Sequence, residues 1–349
     1  MKAIINRRES LRAIGALAGA TALGEAFSQT DSGQLVVPSP GGRYERFWRE
    51  TILPPFERKT GIKTTLDVGV AMSWAAKLRA TGANKPVSSF TMMNEVVGAM
   101  LRSEGYFTAW PVAKVPNIAN LPKNVRLDND FGITAMVSPI GIAYRTDLVK
   151  TPPRAWKDLW TSRELKGKIG LFSGSTTVSF TMLMMMGRVF GSGPLDFDVA
   201  FRKLEELKPF PQADLAGALA MLLTRNEIVA CPLDFSETLS MKKKGVPVEF
   251  VAPEEGMFCF DQTFSLLKQS ANPDGACAFL NHMLSEEIQG KLVAEFGAIA
   301  VNPKVKIPPE VAREVPFTTA DLDKFITFPW VEASKQRDML SERWQKVTR

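Results

Sequence analysis

One histidine, three tyrosines and three cysteines in 349 residues leave little material for several kinds of chemistry. Cys231, Cys259 and Cys277 show no C-x-x-C spacing, and His282 has no histidine partner, which speaks against a zinc site of Cys and His. A lone histidine also speaks against most hydrolytic triads. Within 278-AFLNHML-284 it reads as a packing or surface residue. The odd cysteine count leaves at least one free thiol and keeps a Cys231–Cys259 disulfide open. Tyr44, Tyr106 and Tyr144 are few for a ferric site built on paired tyrosines. No run of eighteen apolar residues occurs, so no spanning helix is expected. The sequences G-x-x-x-x-G-K-[ST], G-x-G-x-x-G and G-x-S-x-G are all missing. These gaps point away from an enzyme and away from any cofactor or metal.

What is present is a large apolar reserve, 45% of the chain, at a length that suggests two domains. The first residues carry their own signal. Basic 6-NRRESLR-12 precedes the short apolar run 13-AIGALAGATAL-23, and small residues follow at Ala26 and Ser28. That order reads as an export signal over residues 1–28, twin-arginine-like at Arg7-Arg8, with Sec export as the alternative. Export implies a periplasmic protein. Removing that segment leaves 39 basic against 35 acidic residues. This balance is no nucleic-acid footprint, which needs cations clustered on one face. The one basic run, Lys242-Lys243-Lys244, ends an expected helix, where cations suit the dipole.

The remaining chain alternates strand and helix signals. Strands are expected at 34–38, 62–68 and 88–93, with helices at 43–60 and 73–81 and another starting near Asn94. Pro54-Pro55 predicts a break or kink in the first helix. Strands at 132–137 and 141–145 then open a second unit, with strands at 168–172, 228–232 and 248–251 and helices between them. The alternation predicts α/β lobes, each a mostly parallel sheet flanked by helices, with a cleft between the two. Ligands of such sheets bind beyond the carboxyl ends of the strands. That rule nominates the turns Ser39–Gly42, Met93–Glu95, Ser173–Thr177 and Leu233–Phe235.

Two kinds of chemistry sit at those turns. The first is 173-SGSTT-177, where Ser175, Thr176 and Thr177 open a helix. Its amides can hold an anion, or one hydroxyl can serve as an N-cap. The second is a set of acids with apolar neighbours, Glu95, Asp234 and Asp261. Asp261 lies within 257-MFCFDQTFSLL-267, an apolar strand in which an unpaired carboxylate is costly. Carboxylates beside aromatic faces are what an ammonium ligand requires. For Glu95 and Asp234, near helix starts, capping is the alternative; Asp261 is the hardest to explain that way.

Several segments in this order carry a resemblance: 56-FERKTGIK-63, 141-GIAYRTDLV-149, 155-AWKDLW-160, 166-KGKIGL-171, 245-GVPVEFVAPEEGMFCFD-261, 272-NPDGACAFLNHMLSEEIQGKLVAEFG-297 and 301-VNP-303. Together they resemble the solute-binding proteins of ABC importers, of the spermidine/putrescine-binding type, over nearly all of 34–347. The resemblance implies a two-lobed periplasmic-binding-protein fold of type II character. Its first lobe would hold 34–138 with 261–305, and its second 139–260 with 306–349. It implies hinge closure on ligand, delivery to a permease with its ATPase, and a monomer. It assigns Asp261 to the grip on an amine. The site then comprises Asn94, Glu95, Asp234 and Asp261, with Phe258, Phe260 and Trp330 lining the cleft. Ser39 and Gly41 supply backbone contacts, and Ser175, Thr176 and Thr177 the hydroxyl turn. Cys259 stands where the family has an aromatic, and the family's acids after Phe172 are replaced by Ser173–Thr177. A polyamine is the leading solute; a zwitterion such as 4-aminobutyrate, or an aminophosphonate, is the other.

Overall fold

The computed structural model describes residues 34–348. The expected export signal lies outside the described residues.

Two lobes share the chain. The first begins with β1 (Gln34–Ser39), α1 (Arg43–Phe47), α2 (Leu53–Thr60), β2 (Lys63–Val68), α3 (Ala71–Thr81), β3 (Phe90–Met93) and α4 (Glu95–Ser103). A widened π turn, Trp48–Ile52, joins α1 to α2. Pro54 and Pro55 lie at the first positions of α2. Their rings crowd the preceding turn and they donate no amide, so the helix widens and continues rather than breaking. Short β4 (Phe107–Thr108) and β5 (Arg126–Leu127) lead to β6 (Gly132–Arg145).

β6 is one strand of 14 residues, buried throughout, where two strands were expected. Burial on both faces explains its nearly unbroken apolar sequence. Residues up to Ile140 pair with β11 (Phe258–Leu267), and Ile140–Tyr144 pair with β9 (Ala230–Asp234). Pro139 does not interrupt the strand because its nitrogen faces the edge away from β11, in the gap between Ile299, which bridges Val137, and β9, which takes up that edge from Ile140. A missing amide costs least on such an unpaired stretch of edge.

The second lobe follows with α5 (Asp158–Thr161), β7 (Leu171–Phe172), α6 (Thr177–Phe190), α7 (Phe197–Glu206), β8 (Gln212–Ala213), α8 (Ala216–Thr224), β9, α9 (Phe235–Lys243) and β10 (Val248–Val251). Strand β11 returns the chain to the first lobe, where α10 (Pro273–Met283) and α11 (Glu286–Phe296) pack. The chain ends with α12 (Pro309–Glu314), α13 (Trp330–Ser334) and α14 (Arg337–Thr348).

The outer pairs β1–β2 and β7–β8 are parallel, as expected. The central sheet is not: β6, β11, β3, β9 and β10 pair antiparallel, because β6 and β11 cross between the lobes in opposite directions. One apolar core gathers Leu35 to Val137 with Phe264 to Leu322. Another gathers Ile140 to Ala230 with Phe258 and Phe328 to Val347. The methionines of α6, Met182 and Met184–Met186, fill this second core. All three cysteines are free. Cys231 lies opposite Ala143 and Cys259 opposite Pro139 on β6. Four residues of strand separate those positions by about 13 Å, too far for a disulfide. His282 is a packing residue, its Nε2 at 3.0 Å from the Ile52 carbonyl oxygen, and burial holds its pKa below the usual value.

Candidate functional site in the interlobe cleft

The nominated strand ends meet. In the first lobe β1 and β2 end together at Ser39 and Val68, and the Gly69 amide donates to the Ser39 carbonyl at 3.0 Å. In the second lobe Phe172 pairs with Ala213, and Ile169 bridges Ala230 in parallel, so Ser173 and Asp234 leave the sheet at the same level. Two side-chain bonds then cross from lobe to lobe. Asn94 Nδ2 donates to Thr177 Oγ1 at 3.3 Å, and Arg43 Nη1 donates to Ser236 Oγ at 3.3 Å. The turns after β1, β3, β7 and β9 thus face one another across the cleft, over a floor formed where β6 and β11 cross.

The three acids do not converge there. Asp261 is not unpaired: its Oδ2 accepts from the Glu95 amide and from Thr263 Oγ1, both at 3.0 Å. It is 7% exposed and caps the N-terminus of α4 from a neighbouring strand. Burial, more than any partner, pushes its pKa from an ordinary 3.8 up to about 6. Glu95 turns back along α4 and pairs through Oε1 with Arg102, whose Nε also meets Asp128 at 2.7 Å. Burial first, with Asp261 and Asp128 adding repulsion against the pull of Arg102, raises Glu95 to about 8. Two of the three acids expected to grip an amine are therefore engaged inside the first lobe. The basic partner of Glu95 was hidden from a neighbour search because it lies two helical turns away.

Asp234 differs. It caps α9, with Oδ1 accepting from the Glu237 amide at 3.1 Å. Burial, then repulsion from Glu237, raises it to about 6, against the pull of Arg43 across the cleft. Tyr44 faces it too: burial and Asp234 together hold the Tyr44 phenol well above its usual pKa. Tyr44 is stacked on Phe296 with centroids 4.4 Å apart. Arg43 lies 4.7 Å over the same ring and also binds Glu295. Sequence reasoning missed Arg43 and Tyr44, although both follow the nominated turn directly. Gly42 opens their helix at φ 69°, a conformation that favours glycine, and brings no capping side chain.

The hydroxyl turn is partly committed. Thr176 caps α6, accepting from the Ser179 amide at 3.1 Å. Ser175 bonds Ser173 at 2.9 Å and Asp214 at 3.3 Å, and Ser173 also reaches Asp214. Thr177, one residue past the cap, receives Asn94. Asn94 itself caps α4 through the Val97 amide at 3.3 Å. Ser39 is fully buried and donates to its neighbour's carbonyl at 2.9 Å, while Gly41 is exposed beside it.

The aromatic lining needs correction. Phe258 stacks on Trp156 at 5.5 Å and is 2% exposed, so it belongs to the second core and not to the cleft. Phe260 pairs through its backbone with Ser138; its side chain lies outside what the structure describes. Trp330 opens α13, half-buried against Phe328 at 5.2 Å. A separate concavity of about 580 Å³, between Ala252–Met257 and Asp323–Thr327 beside Arg188, contains none of the nominated residues.

Two lobes, antiparallel crossing strands and facing helix N-termini make an interlobe cleft of a size and polarity suited to a small ligand. The match to known proteins agrees. Residues 51–319 match the family model of bacterial extracellular solute-binding proteins, and the chain belongs to that family. It is 24% identical over 310 residues to spermidine/putrescine-binding periplasmic protein 1 of Haemophilus influenzae, covering 84% of this chain and 85% of that one. Its fold matches that of an ABC transporter from Clostridium perfringens with a TM-score of 0.75 at 25% identity, over 90% of this chain and 100% of the other. The Atu4243–GABA receptor matches with a TM-score of 0.76 at 18% identity, over 90% of this chain and 98% of that one.

Proposed function

We propose that this protein is the periplasmic solute-binding component of an ABC importer. It is exported by its N-terminal signal, closes its lobes on a small solute as a monomer, and passes it to a membrane permease with its ATPase. It performs no chemistry on the solute. Family membership supports the transport role, and the names of relatives support the periplasmic setting. The lobes divide at 138/139 and 260/261. We place the third crossing after Phe325, where the resemblance implied 305; the packing of Leu322 and Phe325 on the first core and of Phe328 on the second supports this.

The solute we propose is zwitterionic and amino-acid-like, of the 4-aminobutyrate or aminophosphonate kind. One observation carries this choice. Asp261 and Glu95 are held by Thr263, the α4 amide and Arg102, which leaves Asp234 as the one of the three nominated acids that faces the cleft. Opposite it stands the guanidinium of Arg43, which keeps two N–H donors after its bonds to Glu295 and Ser236. One acid and one cation on facing walls complement a ligand that bears both charges. A polyamine needs two or more carboxylates instead. That second reading is favoured by the spermidine/putrescine-binding relatives. A thermal-shift panel of putrescine, spermidine, 4-aminobutyrate and 2-aminoethylphosphonate tests the choice. A rise in melting temperature with the last two alone is expected; a rise with the polyamines alone overturns the zwitterion reading.

A further inference from the structure

We propose that Asn94–Thr177 and Arg43–Ser236 are clasps that hold the lobes closed, and that Asn94 and Thr177 position the cleft rather than touch the solute. This rests on the interlobe-cleft reading but not on the identity of the solute.

Each clasp joins helix starts from opposite lobes, through groups that capping leaves spare. Asn94 uses Oδ1 for the Val97 amide, and its Nδ2 goes to Thr177. Thr177 is free for this because Thr176 caps α6. Ser236 is free because Asp234 caps α9, and it is 3% exposed at the contact. The start of α4 is also fixed from the hinge side. Thr134 on β6 bonds Thr263 on β11 at 2.8 Å, Thr263 bonds Asp261, and Asp261 takes the Glu95 amide. A chain of hydrogen bonds therefore runs from the two crossing strands to the Glu95 amide, one peptide away from the Asn94 side chain that reaches the other lobe. Val96, on the same first turn of α4, packs into the second core with Phe328 and Ala333. Every group in these contacts belongs to the protein, so the closed form gains stability that no solute supplies. A solute that binds the closed form gains apparent affinity in proportion to the closed fraction.

The test is small-angle X-ray scattering of the solute-free protein, fitted as a closed-to-open ratio, for wild type, Asn94→Ser, Thr177→Val and the double variant. Serine keeps the cap on α4 but cannot reach Thr177; valine keeps the shape of threonine without its hydroxyl. Each single variant is expected to lower the ratio about threefold to tenfold, the worth of one net hydrogen bond. The double variant should lower it no further than the stronger single. Thr177→Ser should restore the wild-type ratio. Thermal melts identify any variant that fails to fold, and the substitution on the opposite lobe then decides. An unchanged ratio in the folded variants, or a wild type wholly open without solute, overturns the clasp.

Discussion

Replacing Asp261 with Asn separates a buried structural carboxylate from a ligand-binding one. Burial raises the Asp261 pKa from 3.8 to about 6. A group whose folded pKa lies above its unfolded value contributes its full stability below the unfolded pKa and loses it as pH rises through the folded one. For Asp261 that window is pH 4 to 6, and a shift of about 2 units corresponds to roughly 3 kcal/mol of ionisation cost. Asparagine keeps an acceptor for the Glu95 amide and for Thr263 and never ionises. Asp261→Asn should therefore match the wild type at pH 4 and exceed it by about 2–3 kcal/mol at pH 7. Urea unfolding at the two pH values reads this directly. Solute affinity at pH 7 should change less than about threefold, since the carboxylate faces α4. A variant that folds as the wild type at both pH values yet loses tenfold or more in affinity would refute the reasoning and return Asp261 to the solute.

Other consequences follow from the same geometry. Arg102→Met removes the partner that Glu95 and Asp128 share; with its pKa at about 8 the Glu95 carboxyl is largely protonated at neutral pH, so the loss in urea unfolding there should be about 1–3 kcal/mol, the cost of a buried carboxyl left without its hydrogen bond; no measurable loss would show that the cluster does not form. Glu95→Gln should remove a stability loss that runs upward from about pH 4.5 to pH 8 in the wild type, so its advantage in a melting series should grow with pH and vanish in acid. Gly297→Ala puts a Cβ 2.9 Å from the Phe235 ring at φ 59° and should lower stability by about 1–3 kcal/mol; an unchanged melting temperature would mean that α9 and α11 are not in contact across the lobes. Asp234→Ala should lose both the α9 cap, about 1 kcal/mol, and most solute affinity, whereas Asp234→Asn should lose the affinity alone.

Much of the architecture was legible because it rests on local rules. Strand–helix alternation and the strand-end rule brought forward the turns at Ser39, Asn94, Ser173 and Asp234, and two hydrogen bonds now join them across the cleft. The resemblance supplied the two-lobed fold. Pairing partners were harder to read. β6 looked like two strands because proline penalties are local, whereas its tolerance of Pro139 depends on the gap between Ile299 and β9 on the edge away from β11. The acids misled for the same reason. Glu95 finds Arg102 only on a formed helix, and Asp261 finds a backbone amide only when β11 lies beside α4. A search of flanking residues cannot see either partner. Phe258 was assigned to the cleft by proximity to Asp261, yet alternation along β11 turns it into the second core.

The most direct measurement is titration calorimetry of 4-aminobutyrate and putrescine against the wild type and Asp234→Asn. The account predicts that 4-aminobutyrate binds the wild type, that the Asp234→Asn variant keeps the fold but loses at least tenfold in affinity, and that putrescine gives no saturable heat. Saturable putrescine binding that survives Asp234→Asn and is abolished by Asp261→Asn would contradict it.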